Sequence, residues 1–472
     1  MFARWCVDRH SAGRAACADT IFMSSNRSDT DAFDALGTPR FLRPFERFMH
    51  IEASSGIVLM LAVAVALVWA NWPGSHSYHD IWHMPLSIQF GEWRFTQTLH
   101  FFINDILMTI FFLVVGLEIR REIHEGALAN LKLATLPLIA ALGGVMAPAL
   151  IYVSLNDEPA LRQGWAVPTA TDIAFAVGIL TLLGKRVPAQ LRILLLAIAI
   201  IDDIAAILVI AFFYSSGVKI AGLLVAAAGV GLVRLYNYHG IRTAWPYVVP
   251  GAVVWIGVLM AGVHPTIAGV ALGLLTPVQT PMDRQTLFDG AVNMFGKVRE
   301  RFTGASADLH EAVGSLQRLK SMQRELVPPV VRVQIALHPW VAFGIMPIFA
   351  LANAGVVFDQ AALQAITQST VSLGVILGLV LGKPFGIALA SVIAVRTGIA
   401  ALPPGVTNKG LIVVGCLGGI GFTMSIFLAQ LAYADAATLA TAKMAVLIAS
   451  TIAAILGLAL GSRLLKDTSA TA

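Results

Sequence analysis

Asp202 and Asp203 stand side by side in the run LLLAIAIIDDIAAILVIAFF, with about ten apolar residues on either side, which puts them near the middle of a membrane-length helix. Neighbouring helical residues point about 100° apart around the axis. The two carboxylates therefore cannot serve one point equally: one can line a cavity while the other reaches a neighbouring helix. Two carboxylates this close do not both ionise cheaply, so at least one is expected to keep a proton toward neutral pH. Such a group is fit to carry protons. The structural alternative is a hydrogen-bonded pair that joins helices, an expensive choice in an apolar run.

An ionisable residue inside a spanning segment is a functional candidate by default, and the set here is short: Asp105, Asp172, Asp202, Asp203 and Lys383, with Glu118 at a helix end where it reaches water. Asp172 lies in VPTATDIAFAVG, where Pro168 and Thr169 predict an interrupted helix. A carboxylate there neutralises exposed helix N-terminal amides, or it ligates an ion directly; the two readings are compatible. The hydroxyl and carbonyl of Thr171 are hard oxygen donors suited to sodium, by analogy with other hard cations. Lys383, in LGLVLGKPFGIALA, needs a carboxylate partner, from the Asp202–Asp203 pair or Asp172, or must lose its proton. Its apolar flanks are long for snorkelling to an interface.

The elements that position these groups follow from composition. Of 472 residues, 57% are hydrophobic and 12% charged, and the mean hydropathy is +0.78. Soluble domains carry roughly 25% charged residues, so most of this surface faces lipid. Lipid admits helices or closed barrels, because every backbone amide must be paired internally. Long unbroken apolar runs, rather than alternating strand-length segments, predict an all-α membrane protein with about twelve transmembrane helices by the hydropathy criterion. Cys6, Cys17 and Cys416 have neither disulfide-framework nor metal-ligand spacing. The net charge of +5 reports loop orientation rather than nucleic-acid binding.

Alternate loops hold Arg120, Arg121 and Lys132; Lys185, Arg186 and Arg192; Arg234 and Arg242; Arg396 and Lys409. The opposite loops are poor in bases, which places the first set, and with an even helix count both termini, in the cytoplasm. The expected organisation is a polar cytoplasmic extension over 1–48, helices 1–8 over 49–278, a long cytoplasmic loop over 279–336, helices 9–12 over 337–466 and a short tail over 467–472. No apolar core of a signal peptide precedes residue 50, and the extension is expected to be disordered. Met23 is an alternative start. Within the long loop, Leu309, Val313, Leu316 and Leu319 predict an amphipathic surface helix over 308–326.

A second break is predicted in GCLGGIGFTMSIF, residues 415–427, where the glycines read as close helix packing or as unwound backbone lining a cavity. The Pro-interrupted run is the fourth and the Gly-interrupted run the eleventh, each the middle of a three-helix group. Corresponding interruptions in two halves point to an inverted-repeat transporter site, a rule that rests in part on the family named next.

The stretches FFINDILMTIFFLVVGLEIRREI, AVPTATDIAFAVGIL, AIAIIDDIAAILVI, GVHPTIAGV, LHPWVAFGIMPIFALANAGV, LGKPFGI and GGIGFTMSIF resemble, in this order, the NhaA family of bacterial sodium/proton antiporters, over nearly the whole of residues 50–465. The resemblance implies twelve helices with inverted repeats and two crossed discontinuous helices, runs 4 and 11. It implies electrogenic exchange of sodium or lithium for a larger number of protons, regulated by pH, in the bacterial inner membrane. It implies a secondary transporter rather than an enzyme, with membrane lipid, Na+ and H+ as partners, no cofactor and no nucleic acid; a homodimer is the assembly to test.

By motif, Asp203 resembles the main cation ligand and proton carrier, Asp202 the second carboxylate, alternately paired with Lys383, and Thr171 and Asp172 the positions at the broken fourth helix. The transported ion would meet Asp203, Asp202 and Thr171. Asp105 resembles a supporting carboxylate. Glu118, Arg121, Glu122 and His338 resemble a cytoplasmic pH-sensing cluster, and His264 a family histidine grouped with it. One departure is that Gln334 and Ile335 stand where the best-known members carry an acidic residue and a histidine, which thins that cluster. The extension and the long loop also look longer than typical. Two rival classes are a sodium-coupled solute symporter, which needs a larger polar or aromatic pocket, and an intramembrane aspartyl protease, which needs two aspartates facing each other from separate helices.

Overall fold

The computed structural model describes residues 52–465 apart from 74–76, 92, 127, 216, 242, 279–292 and 294–326. The 1–48 extension, the 308–326 helix and the 467–472 tail lie outside the described residues. Membrane-length helices are α3 (Leu99–Glu125), α4 (Leu131–Leu155), α7 (Ala189–Phe213), α8 (Ile220–Tyr238), α11 (Pro329–Asn353), α13 (Thr370–Arg396) and α16 (Ala436–Leu464). Two further pairs are bent at short breaks: α5 (Pro159–Thr169) and α6 (Ile173–Leu182) by 42°, and α14 (Asn408–Gly418) and α15 (Phe422–Ala432) by 48°. Shorter apolar helices are α1 (Glu52–Ala70), α9 (Val248–Met260) and α10 (Thr266–Leu275); α2 (Ser77–His83) and α12 (Gln360–Gln368) are connectors. The chain is a helical, multi-pass membrane protein. Its apolar residues point outward as well as inward: on α4, Leu138, Leu142, Met146 and Leu150 form an exposed i+4 row while Ala140, Ala141 and Tyr152 are buried.

Sequence and structure differ in three places. A two-stranded antiparallel hairpin, β1 (Pro85–Phe90) and β2 (Trp93–Thr98), precedes α3, with Phe90 opposite Trp93 and Gly91 at φ +60°. A search for spanning-length runs passes over it, although Ile88, Phe95 and Thr96 around a glycine turn are hairpin residues. The boundary expected at 336/337 also moves: α11 begins at Pro329, because a proline at the first helical position needs no amide partner and its φ is already helical. Finally, α3, α11 and α13 each contain a π-helical segment, at Phe102–Leu107, Val341–Ile345 and Gly378–Gly382. The first holds Asp105, and the third ends beside Lys383.

Helices associate in lipid by close packing, which small residues permit. Three seams run on glycine. A Cβ at Gly116 of α3 would come within 2.7 Å of the Val270 carbonyl of α10. One at Gly143 of α4 would sit 2.4 Å from the Gly386 carbonyl of α13, and one at Gly222 of α8 only 2.1 Å from the Ala261 amide after α9. These seams gather the helices into two groups: α3 and α8–α11 pack with one another, as do α4–α7 with α13–α16. α1 lies against both α6 and α11.

Candidate functional site

The two breaks meet. The Asp172 amide donates to the Ile420 carbonyl at 2.7 Å, so the extended segment between α5 and α6 touches the one between α14 and α15. Four helix ends thus face one another inside the protein. Each leaves amides or carbonyls without partners in its own helix.

A local cap and side chains from other elements meet several of them. Asp172 caps two helices at once: one carboxylate oxygen accepts the Phe175 amide of α6 at 3.1 Å, and the other accepts both the Thr423 amide of α15 at 3.1 Å and the Thr423 hydroxyl. A carboxylate between two helix N-termini is where its charge is best stabilised. The adjoining Phe422 amide donates to Ser450 Oγ of α16 at 3.1 Å. On the carbonyl side, Ser425 donates to Val167 at 2.7 Å, Thr171 donates toward Gly418 at 3.0 Å, and Lys383 Nζ donates to Thr169.

Lys383 also pairs with Asp202, Nζ to Oδ2 at 2.9 Å, and Thr171 Oγ1 lies 2.7 Å from the same oxygen. Asp203 differs in having no ion pair among the described residues. It is as buried as Asp202, and the Oδ1 atoms of both carboxylates have no hydrogen-bond partner, but only Asp202 has its other oxygen held by Lys383 and Thr171. Among the described residues the charges therefore do not balance: Asp202 has Lys383, Asp172 has two helix ends, and Asp203 has neither. An unmatched buried carboxylate needs a proton or another cation. Asp202 thus reaches a neighbouring helix through Lys383.

Of the other expected site residues, Asp105 lies on α3 with its carboxylate 3.6 Å from His264 Nε2, whose other ring nitrogen is 2.9 Å from Thr266 Oγ1. At the far end of α3, Arg121 meets Glu122 at 3.1 Å, Glu118 at 4.0 Å and the Gln334 side-chain oxygen of α11 at 3.1 Å. His264 does not join this group, as the resemblance grouped it. Asp105 and Glu118 are 13 positions apart on α3, which is about 20 Å along a helix, and His264 sits at the Asp105 end. His338 lies on α11, one turn beyond Gln334.

Sequence reasoning did not select Ser425, Ser450 or Thr423. A hydroxyl in an apolar span is the signal they give, but which helix end each one meets depends on how the breaks meet, and that is not written in spacing.

The Na+/H+ antiporter 1 family model matches residues 46–460. Among similar proteins, the Na(+)/H(+) antiporter NhaA of Cupriavidus necator is 56% identical over 416 residues, covering 88% of this chain and 89% of that protein. The NhaA of Janthinobacterium sp. (strain Marseille) is 55% identical over 422 residues, 89% of this chain and 93% of its own length. The NhaA of Bartonella bacilliformis is 49% identical over 449 residues, 95% and 98%. These relatives are named as transporters, not enzymes. With two bent pairs of half-helices meeting at their breaks beside a buried carboxylate pair, and a family model spanning nearly all of its described residues, the chain belongs to the Na+/H+ antiporter 1 family, that of the NhaA antiporters.

Proposed function

We propose that the protein exchanges sodium, or lithium, for a larger number of protons, and so moves net charge. The observation that carries this reading is the unmatched carboxylate of Asp203 beside the Lys383–Asp202 pair. Sodium and protons compete for the same oxygens, so the two loaded states exclude each other. Asp203 is the main ligand and proton carrier. Asp202 becomes a second ligand when it leaves Lys383, and the Thr171 hydroxyl adds a neutral hard oxygen. Asp172 keeps the two half-helices together, and Asp105 supports the site from α3. The proton gradient then drives sodium out.

The wider reading has twelve crossings in inverted repeats, with α5–α6 and α14–α15 as two crossed broken spans, and one helix group rocking against the other. That rule was drawn partly from this family. Both termini and the loop that precedes Pro329 lie in the cytoplasm of a bacterial inner-membrane protein that assembles as a homodimer. The Glu118, Arg121, Glu122 and His338 group regulates exchange by pH, with a response altered by the uncharged Gln334 where an acid is usual. His264 acts with Asp105 instead. The test is sodium-driven proton flux, with membrane potential recorded, in proteoliposomes of the purified protein scanned across pH and cation. Flux that ignores sodium and lithium, or that leaves the potential unmoved, counts against the proposal.

A further inference from the structure

A second polar cluster lies away from the carboxylates, at the end of the bundle that carries the hairpin. Asn353, the last residue of α11, is its hub. The Asn353 carbonyl oxygen is 2.9 Å from His100 Nε2 and 3.5 Å from Asn104 Nδ2, and it accepts from Gln430 Nε2. Its amide nitrogen donates to Asn104 Oδ1 and to the Phe349 carbonyl, each at 2.9 Å. Asn104 in turn donates to Gln430 Oε1 at 3.0 Å.

The membership divides along the seam between the two helix groups. His100 and Asn104 are on α3 and Asn353 on α11, in one group; Gln430 is on α15, in the other. One turn before Gln430, Phe427 meets the rings of His264 at 5.5 Å, Phe112 at 5.6 Å and Phe349 at 6.1 Å, all from the first group. The seam is thus aromatic toward the centre and amide-bonded toward the hairpin end. Among the described residues no glycine holds it: the close backbone approaches at Gly116, Gly143 and Gly222 are within groups. Aromatic faces and amide hydrogen bonds part and re-form, whereas interlocked backbones do not.

We propose that Asn104, Asn353 and Gln430 form a latch that holds the hairpin end of this seam shut and parts each time the Asp203 site turns to that side. The Gln430 bonds to Asn104 and Asn353 break, while the Asn104–Asn353 bond stays. The amides are suited to this because they are neutral, and each half keeps a partner when the seam opens: Asn104 and Asn353 retain each other, and Gln430 turns to water. This latch rests on the antiport reading.

The test uses the full chain with Cys6, Cys17 and Cys416 replaced by alanine, and two paired variants across the seam, N104C/Q430C and N353C/Q430C. A third pair, N104C/N353C, lies within one group. Each is treated in proteoliposomes with a short bifunctional methanethiosulfonate that a thiol reductant removes. Cross-linking either seam pair is expected to stop sodium/proton exchange, with recovery on reduction, and cross-linking N104C/N353C to leave it running. Continued exchange in a cross-linked seam pair overturns the latch, and so does equal inhibition by the control pair. Exchange before the reagent is added reports on the transport reading by itself.

Discussion

Lys383 reaches Asp202 at 2.9 Å, and among the described residues no cation pairs with the neighbouring Asp203, which is equally buried. Two adjacent residues of one type thereby acquire different chemistry. Replacing Asp203 by asparagine removes the open carboxylate but keeps its shape. Exchange is expected to fall to the level of protein-free liposomes while the protein elutes as folded material from a sizing column. Sodium-driven proton flux retained by Asp203→Asn would remove Asp203 from the centre of the mechanism.

Breaking the buried pair from either side strands a charge. Lys383→Ala or Asp202→Asn is expected to lower unfolding stability by about 3–5 kcal/mol. The double variant is expected to be no worse than either single one, since neither charge is then left alone. Thermal unfolding in detergent measures the cycle, and additive losses would show that the pair is not coupled. Lys383→Ala is also expected to change the charge moved per cycle.

Ser450 gives the Phe422 amide its partner, one residue before the amide that Asp172 caps. Ser450→Ala leaves a buried donor unmade, at a cost of about 1–3 kcal/mol, and frees Asp172 to drift toward it. Apparent KM for sodium is expected to rise, and Ser450→Thr to restore it. An alanine variant of unchanged KM would make Ser450 a packing residue.

Glycine at the seams can be tested against glycine in open space. A Cβ at Gly143 would sit 2.4 Å from a backbone oxygen, whereas one at Gly231 of α8 meets nothing within 4 Å. Gly143→Ala is expected to destabilise by about 1–3 kcal/mol through overpacking. Gly231→Ala is expected to be neutral or to stabilise by about 0.5–1 kcal/mol, because alanine has less backbone freedom to lose. Equal melting temperatures for the two variants would contradict the close approach.

Outside the spans, Tyr78 donates to the Leu351 carbonyl at 2.8 Å and accepts the Gly355 amide at 3.0 Å, tying α2 to the end of α11. Burial pushes its phenol up to about 12, against the pull of the Gly355 amide. An unfolded tyrosine titrates near about 10. The neutral hydroxyl therefore contributes stability fully below pH 10, and the contribution is lost as pH rises through about 12. Subtracting the melting curve of Tyr78→Phe from that of the natural sequence isolates this loss. A difference that stays flat over that window would mean the hydroxyl is not held.

What was legible in the sequence was cost. Asp202, Asp203, Asp172 and Lys383 stood out because charge in an apolar run is expensive; Pro168 pointed to one break because it does not suit a continuous helix, and the glycines within 415–427 pointed to the other, though they read equally as close packing. Partners were harder. Lys383 had three candidate carboxylates, and choosing Asp202 depends on contacts between segments more than 150 residues apart in sequence. Asp172 as a cap on α6 was readable locally, but its hold on Thr423 was not. The hairpin escaped because twelve strand residues are too short to register in a search for spans. His264 was grouped by likeness, and likeness carries no coordinates.

Thr171 offers its hydroxyl to the Asp202 carboxylate at 2.7 Å and to the Gly418 carbonyl at 3.0 Å, yet a hydroxyl has a single hydrogen to give. Whenever Asp202 acquires a hydrogen of its own, that of Thr171 is released to swing to Gly418, and its lone pairs turn back toward Asp202. One rotating O–H bond thus keeps a record of the charge on Asp202 and passes it to the end of α14, with no backbone atom having to move.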